Sequence, residues 1–380
     1  MALATAAPTL GALNPAYRER IYNYIDYCRK NDIRCAETIT DAKGHRKLRP
    51  NEQDDPDFYV HVVDRNKDGV FISGAKMHIT GAAVVHDLVV LPTKTMRPGE
   101  EDYAIACAVP ANAPGVTIVN TTYAPRGEDL RHYPVSGRRT TPEGFIIFDR
   151  VFVPNERVFL DGEVAQSAVL AHALGLWERG SGVARESKAG DRLVGMAALL
   201  ADANGTTKKP HVQDMLAELI MYATTSKALA DAAVVHGTTN EDGSFAPSEL
   251  HVSTHKYYRV SQHGHMIDLL HEIAGPLTVA APTMGDLEDP AVGALLDEML
   301  GTPGFTAEQR LRLFHFLRDT TADTFGGWAT AAGNLSGGGQ RSQQIVALRH
   351  YDMDRARAIA AASIGLHGEP NIDDIGVTGI

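Results

Sequence analysis

The feature that most constrains the fold is a change in hydrophobic period near Asn155. Between Phe58 and Asn155, about six short runs rich in β-branched residues are separated by turns, with no helical segment between them. After Asn155 the apolar residues recur at spacings of three and four. Strands followed by helices predict an α+β protein in which an antiparallel β-domain precedes a helical bundle.

The pattern divides the chain into three parts. Residues 57–160 form the predicted β-domain, in which FYVHVV and GVFISGAKMHI flank DRNKDG, a hairpin signal. Residues 161–380 form the predicted bundle. Residues 1–56 hold a predicted helix at 15–30, preceded by a disordered lead-in or a truncated start and followed by an extended polar arm. The predicted helical segments of the bundle are 163–203, 209–237, 246–274, 288–300, 306–333 and 340–365.

Composition excludes several classes of protein. The formal net charge of −11 argues against a nucleic-acid partner. No apolar run approaches the roughly 20 residues that a membrane helix needs. The three cysteines, Cys28, Cys35 and Cys107, have no spacing typical of a disulfide framework or a zinc site. With no basic segment before the apolar start, the chain shows no signal peptide, so a cytoplasmic location is expected.

The first candidate site is the strand end from Gly74 to Gly81. Regular strand alternation would place His78 and Thr80 on one face, where both can hydrogen-bond to a ligand. Gly81 lets a flat ligand approach the backbone closely. Taken alone, the pattern is more typical of an ordinary strand end with a capping threonine.

Two other segments have the chemistry of an anion site. The arm carries Thr40, Asp41, Lys43 and Arg46, which could surround a pyrophosphate, although such a run is more often a polar connector. The second segment is a glycine-rich turn that leads into a predicted helix and offers backbone N–H groups to an anion. It consists of Gly337, Gly338, Gly339, Gln340 and Arg341.

Longer stretches, in order, carry a resemblance to a known family. They include AETITDAKGHRKLRP, GVFISGAKMHITGAAVVHDLVVLPT, IIFDRVFVPNERVFL, GDRLVGMAALLADANG and TAEQRLRLFHFLRD. Together they resemble the 4-hydroxyphenylacetate 3-hydroxylase / 4-hydroxybutyryl-CoA dehydratase family of flavoproteins. The resemblance implies an acyl-CoA dehydrogenase-like fold, a homo-oligomer (dimer or tetramer), and FAD in the cleft between β-domain and bundle.

The resemblance also implies roles for the candidate residues. Thr80 would contact N5 or O4 of the flavin, with His78 and Gly81 beside it. The arm residues Thr40, Asp41, Lys43 and Arg46 would contact the flavin as well. The segment Gly337 to Arg341 would hold its phosphate or ribose.

Two departures from the family shape the functional prediction. The dehydratase branch places a histidine and a cysteine of an iron–sulfur cluster where this chain has Glu178 and Arg185. No such cluster is therefore expected, and Glu178 or Arg185 would face the substrate or form an interhelical ion pair with each other. The family's N-terminal helical domain is also largely absent, so a second polypeptide could complete the substrate pocket.

The expected function is that of a flavin-dependent oxidoreductase. The leading prediction is a two-component monooxygenase that receives reduced FAD from a separate flavin reductase and hydroxylates a phenolic or related small molecule. One alternative is a cluster-free acyl-CoA isomerase or dehydratase. The other is a non-catalytic or partner-dependent subunit of a split enzyme.

Overall fold

A computed structural model describes residues 1–121, 129–139, 141–240 and 243–366 of the 380-residue chain. The C-terminal part of the predicted bundle, residues 367–380, lies outside this range. Eight strands build two four-stranded sheets, in the orders β1-β4-β5-β8 and β2-β3-β7-β6. The strands are β1 (Cys35–Thr38), β2 (His61–Asn66), β3 (Gly69–Thr80), β4 (Asp87–Val90), β5 (Ile105–Pro110), β6 (Val116–Thr121), β7 (Glu143–Pro154) and β8 (Val158–Asp161).

The pairing follows the predicted antiparallel arrangement with one exception. Within each sheet the neighbours are antiparallel, apart from β1, which runs parallel to β4. The arm therefore contributes a strand, which its polar composition did not predict. The predicted hairpin joins β2 to β3, where the Asn66 side chain accepts hydrogen bonds from the backbone N–H groups of Asp68 and Gly69 at 2.8 and 3.0 Å. Such local bonds are how asparagine stabilises tight turns.

The core of the β-domain lies between the two sheets and is fully apolar at its centre. Ile72, Leu88, Val90 and Ile146 are each completely buried there. Burial on this scale contributes about 1.5–3 kcal/mol for each large aliphatic side chain. The rigid double sheet thus fixes the positions of the strand ends that face the bundle.

Helices predominate in the rest of the described residues. The two N-terminal helices are α1 (Ala2–Leu13) and α2 (Pro15–Lys30). The bundle contains α3 (Val169–Ala203), α4 (Pro210–Val235), α5 (Glu249–Ala274), α6 (Leu277–Ala280), α7 (Met284–Glu288), α8 (Gly293–Leu300), α9 (Ala307–Leu317), α10 (Thr324–Leu335), α11 (Gln340–His350) and α12 (Met353–Ser363). A short strand pair, β9 (Thr238–Thr239) with β10 (Phe245–Ala246), precedes α5. No helix in the described ranges combines the length and apolar character that crossing a bilayer requires.

The disordered lead-in expected before residue 15 is wrong. Residues 2–13 form α1, whose Ala6, Ala7 and Leu10 are buried in one cluster with Phe159 and Leu160 of the β-domain. Alanine has the highest helix propensity, and three buried residues on one face anchor the helix. The predicted segment 306–333 is also interrupted, because a π-helical turn at Arg318–Ala322 separates α9 from α10.

Candidate functional site

Thr80 lies at the seam between the β-domain and the bundle. It ends β3 directly opposite Glu143, the first residue of β7, and its side chain is exposed. The Thr80 hydroxyl donates to both carboxylate oxygens of Glu143, at 2.9 and 3.0 Å. Trp328 on α10 donates its indole N–H to Glu143 Oε1 at 2.8 Å. The carboxylate therefore orients the Thr80 hydroxyl, whose lone pairs can still accept a hydrogen bond from a ligand.

His78 departs from the regular strand that the sequence predicts. The pairing of β3 with β7 shifts between Lys76 and Ile79, so Met77 and His78 form a bulge. His78 has a φ of 61°, in the left-handed region that side chains other than glycine rarely adopt. The expected alternation therefore does not run through His78, although His78 and Thr80 are both exposed. Bulges of this kind re-aim side chains near binding sites.

The arm runs beside this bulge. Its Thr40 carbonyl accepts a hydrogen bond from the backbone N–H of Met77 at 2.8 Å, and the Ala42 N–H donates to Ala75 at 3.1 Å. Lys43 follows with a φ of 72° and a half-buried side chain. Burial, and then the charge of the exposed Arg46, lowers the pKa of the Lys43 amine. Two separately predicted segments are thus adjacent, and the arm brings positive charge to the strand end.

Asp41 does not have the direct contact role that was predicted for it. Its side chain is 2% exposed, and Oδ1 lies 2.8 Å from Lys76 Nζ. The same oxygen accepts the backbone N–H of Val60 at 2.9 Å. Burial raises the pKa of Asp41 and lowers that of Lys76, and each partner's charge opposes the shift of the other. The carboxylate is internal and holds the arm against β3.

Three side chains hold the glycine-rich turn before α11. Glu178 on α3 accepts the Gly337 N–H at 2.7 Å and the Ser336 hydroxyl. Arg179 donates to the Gly337 carbonyl at 3.1 Å, and Gln343 donates to the Gly338 carbonyl at 2.8 Å. Gly337 and Gly338 have φ values of 70° and 91°, which glycine adopts without strain. The turn is therefore a fixed structure.

The start of α11 is open for an anion. Its N-cap, Gly339, provides no side-chain hydrogen bond, and a Cβ placed on Gly339 would meet no atom within 4 Å. Gln340 and Arg341 follow with exposed side chains. Unsatisfied backbone N–H groups at a helix N-terminus attract anions, and the arginine adds a full charge.

Glu178 and Arg185 on α3 have different surroundings. Both carboxylate oxygens of Glu178 accept hydrogen bonds from the glycine-rich turn and not from Arg185. Glu178 also lines a pocket, so its substrate-facing role remains a prediction. Arg185 is exposed and lines a pocket beside Glu178. Its substrate-facing role remains a prediction.

Glu143, Trp328 and Gln343 are site residues that sequence reasoning missed. Glu143 and Trp328 act through partners that are remote in sequence, whereas Gln343 holds the glycine-rich turn a few residues before it. Only the register of β3 with β7 could have pointed to Glu143. Helix α10 connects the two parts of the site, because Trp328 and Leu335 are separated by about 10 Å of helix.

Comparisons with family models cover nearly the whole chain. Residues 1–160 match the N-terminal model, and residues 167–365 the C-terminal model, of 4-hydroxyphenylacetate 3-hydroxylase. The chain is 28% identical over 368 residues to 4-hydroxybutyryl-CoA dehydratase/vinylacetyl-CoA-Δ-isomerase of Clostridium aminobutyricum, covering 92% of this chain and 74% of the relative. It is 28% identical over 330 residues to the 4-hydroxyphenylacetate 3-monooxygenase oxygenase component of Thermus thermophilus, covering 86% and 67%.

Solved structures agree with these relatives. An oxygen-tolerant 4-hydroxybutyryl-CoA dehydratase from N. maritimus superposes with a TM-score of 0.88 at 26% identity, covering 97% of this chain and 75% of that one. The oxygenase component of 4-hydroxyphenylacetate 3-monooxygenase, complexed with FAD, gives 0.86 at 26%, covering 96% and 77%. An acyl-CoA dehydrogenase from Geobacillus kaustophilus shares the fold at a TM-score of 0.53, so the predicted fold class is confirmed. The chain belongs to the 4-hydroxyphenylacetate 3-hydroxylase family.

Proposed function

We propose that this chain is the oxygenase component of a two-component monooxygenase. It would receive reduced FAD from a separate flavin reductase and hydroxylate a phenolic small molecule. The observation that carries the proposal is the Thr80 hydroxyl, oriented by Glu143 at the seam of the two domains. Relatives of this chain include several oxygenase components of this kind.

The described residues fit FAD by the chemistry of their donors. Thr80 offers a hydroxyl to the flavin ring, with His78 and Gly81 beside it. Lys43 and Arg46 on the arm, together with Gln340, Arg341 and the N-terminus of α11, offer positive charge and N–H groups to the diphosphate. When bound, the flavin supplies the oxygen chemistry, which explains why no nucleophile motif is needed.

Thr80 and its partners have a positioning task in this proposal. The Thr80 hydroxyl donates its hydrogen bond to Glu143. The Thr80 oxygen can therefore accept a hydrogen bond from a ring N–H of the reduced flavin. Trp328 fixes the other side of the carboxylate and places an apolar ring at the domain seam. An apolar wall excludes water from the site. A monooxygenase needs this exclusion to couple oxygen use to hydroxylation.

Replacing Thr80 by valine tests this arrangement. The change keeps the shape but removes the hydroxyl, so reduced FAD should bind about threefold to tenfold more weakly, the usual effect of losing one hydrogen bond. Anaerobic titration of the protein with reduced FAD measures the affinity. Thr80→Ser, which keeps the hydroxyl, is the matched control. Equal affinity for the wild type and Thr80→Val would show that the ring does not contact this residue.

Turnover tests the reaction itself. The protein is combined with a flavin reductase, NADH, catalase and a panel of phenols under isotopically labelled oxygen. A product that carries one labelled oxygen atom supports the proposal, and a sample with reductase alone is the control. Reduced-flavin binding without any labelled product across the panel counts against it, unless a further polypeptide restores turnover, as a partner-dependent subunit requires.

A second candidate is a cluster-free acyl-CoA isomerase or dehydratase. The match to 4-hydroxybutyryl-CoA dehydratase over 92% of the chain favours it. This candidate predicts conversion of a CoA ester without oxygen, which an anaerobic assay with vinylacetyl-CoA measures. Iron and sulfide analysis of anaerobically purified protein tests the expected lack of a cluster, and stoichiometric iron would overturn that expectation.

The chain is also proposed to form a homo-oligomer. Helix α12 buries none of its residues against the described chain. Exposed apolar side chains continue along α11 and α12, among them Leu348, Ile359 and Ile364. Apolar surface of this extent favours association between copies.

A further inference from the structure

Cys28 and Cys35 are neighbours in the structure, although their spacing in the sequence predicted no disulfide. Cys28 lies in the last turn of α2, and Cys35 is the first residue of β1. Their Sγ atoms are 3.9 Å apart, and all three cysteines of the chain are free thiols. The fold therefore brings together two thiols that can react with each other.

The turn between α2 and β1 fixes this approach. The backbone N–H of Ile33 donates to the Cys28 carbonyl at 3.0 Å, and Asp32 has a φ of 51°. Strand β1 pairs with β4 from its first residue, since Cys35 lies opposite Asp87. Regular backbone thus holds each cysteine on its own side of a short turn.

The two sulfur atoms need only a small movement to form a covalent bond. A disulfide places them about 2.05 Å apart, so each would shift by roughly 1 Å, which a partial rotation about the Cα–Cβ bond provides. The Tyr24 hydroxyl lies 3.4 Å from Cys35 Sγ and donates to Asp87 Oδ2 at 3.0 Å. Tyr24 keeps its bond to Asp87 when the sulfur moves, so the rotation leaves no buried hydroxyl donor unpaired.

The pair is accessible to a small oxidant, unlike the third cysteine. Cys28 and Cys35 are half-buried, whereas Cys107 on β5 is fully buried. Partial burial, and then the charge of Cys35, raises the pKa of Cys28 to about 11. Because the thiolate is the reactive form, we expect oxidation of Cys28 to be slow at neutral pH and faster at alkaline pH.

We propose that Cys28 and Cys35 form a reversible disulfide when hydrogen peroxide oxidises the protein. One thiolate attacks a peroxide oxygen, so an S–O bond forms, the O–O bond breaks and hydroxide leaves. The second thiolate attacks the sulfur of this sulfenic acid, so the S–S bond forms, the S–O bond breaks and a second hydroxide leaves. The two hydroxide ions take up the two thiol protons. Two thiols are thus oxidised while one peroxide is reduced to two waters.

The disulfide would restrain the segment that follows it. Strand β1 continues directly into the arm, so the bond fixes the start of the segment that carries Lys43 and Arg46. The disulfide site does not depend on the proposed function. An oxygenase would nevertheless meet peroxide whenever reduced flavin reacted with oxygen without a substrate. Thiol reductants reverse a disulfide, whereas they do not reverse the sulfinic acid that an unpartnered thiol forms.

Tryptic mapping of the peroxide-treated full chain tests the site. Trypsin cuts after Arg29, Lys30 and Arg34, so peptides 21–29 and 35–43 stay together only through a disulfide. The folded wild type should yield this joined pair, and dithiothreitol should separate it. The ratio of joined peptides to sulfinic acid at the two cysteines should be at least about tenfold higher in the folded protein than in urea, because the fold holds the thiols in contact.

Two variants complete the test. Under the same treatment Cys28→Ser should carry Cys35 on to sulfinic acid. Cys107→Ala is the matched control and should give as much of the joined pair as the wild type. Folded protein that keeps both thiols, or an equal ratio in folded and urea-treated protein, would overturn the proposal. Joined peptides found only in chains that are cross-linked to each other on a non-reducing gel would overturn it as well.

Discussion

At the scale of single residues, the strained backbone of His78 is the feature that most separates this strand end from an ordinary one. A left-handed conformation costs a residue with a side chain about 1–2 kcal/mol. His78 adopts this conformation on β3, two residues before Thr80. Strain of this kind persists where the surrounding structure requires it, and it concentrates at binding sites.

His78→Gly tests whether the strain serves the site. Glycine adopts a φ of 61° readily but loses more entropy on folding, so the free energy of unfolding should rise by up to about 1 kcal/mol. If the imidazole contacts the flavin, FAD affinity should fall at the same time. Urea unfolding and FAD titration measure the two effects. A less stable variant with unchanged FAD binding would contradict both parts.

Glu37 on β1 predicts a pH dependence. The Glu37 side chain is exposed, but the surrounding protein displaces part of its water. This desolvation, and next the charge of Glu178, raises the pKa of Glu37 to about 7. The native state therefore holds this proton more tightly than the unfolded chain, whose carboxyl has a pKa of 4.5. The contribution of Glu37 to stability is thus present below the unfolded pKa and is lost as the pH rises through the folded pKa.

Glu37→Gln should remove the loss of stability that Glu37 causes as the pH rises. Relative to the wild type, the variant should gain stability between about pH 5 and about pH 8, because the glutamine cannot ionise. Chemical unfolding at both pH values measures the difference. The same difference at both values would mean that Glu37 does not titrate in this range.

Site residues could be predicted from the sequence only where they belong to a local motif. Thr80 and the glycine-rich turn stand out in the sequence because a polar residue ends an apolar strand and glycines precede a helix. Glu143 and Trp328 belong to the site through strand register and domain packing, which no local pattern encodes. The prediction for Asp41 was wrong because an acidic residue in a polar arm is expected to be exposed. In the structure Asp41 is buried in an ion pair with Lys76 on β3.

At the scale of elements, the arm depends on the buried pair of Asp41 and Lys76. Lys76 Nζ also donates to the carbonyls of Ile39 and Leu91, at 2.8 and 2.7 Å, so it ties the arm to two strands. The strands themselves followed from alternation and turn residues. The membership of β1 in a sheet did not, because a parallel partner remote in sequence decides it.

Replacing Lys76 alone should lower the free energy of unfolding far more than replacing Lys76 and Asp41 together. Lys76→Met leaves an unpaired buried carboxylate and should cost about 3–5 kcal/mol of unfolding free energy. Adding Asp41→Asn removes that charge while keeping an acceptor for the Val60 N–H, so most of the loss should be recovered. Chemical denaturation of both variants measures this. A double variant no more stable than the single one would show that the ion pair itself holds the arm.

At the scale of the whole molecule, the change in hydrophobic period near Asn155 gave the order of domains, and the resemblance gave the fold. Composition alone could not show how the bundle is completed. The described chain ends with a helix, α12, that buries none of its side chains. Ile359 and Ile364 on and after this helix are 47% and 72% exposed.

Because α12 buries none of its residues, we expect the melting temperature of the protein to depend on its concentration. If copies bury α12 in each other, mass action raises the melting temperature by a few °C for each tenfold increase in protein concentration. Ile359→Asp combined with Ile364→Asp should abolish that dependence, whereas Arg357→Gln, also on α12, should not. A melting temperature independent of concentration in the wild type would mean that α12 does not join copies of the chain. If the melting temperature does rise with concentration, dilution as well as heat sets the conditions under which this protein stays folded.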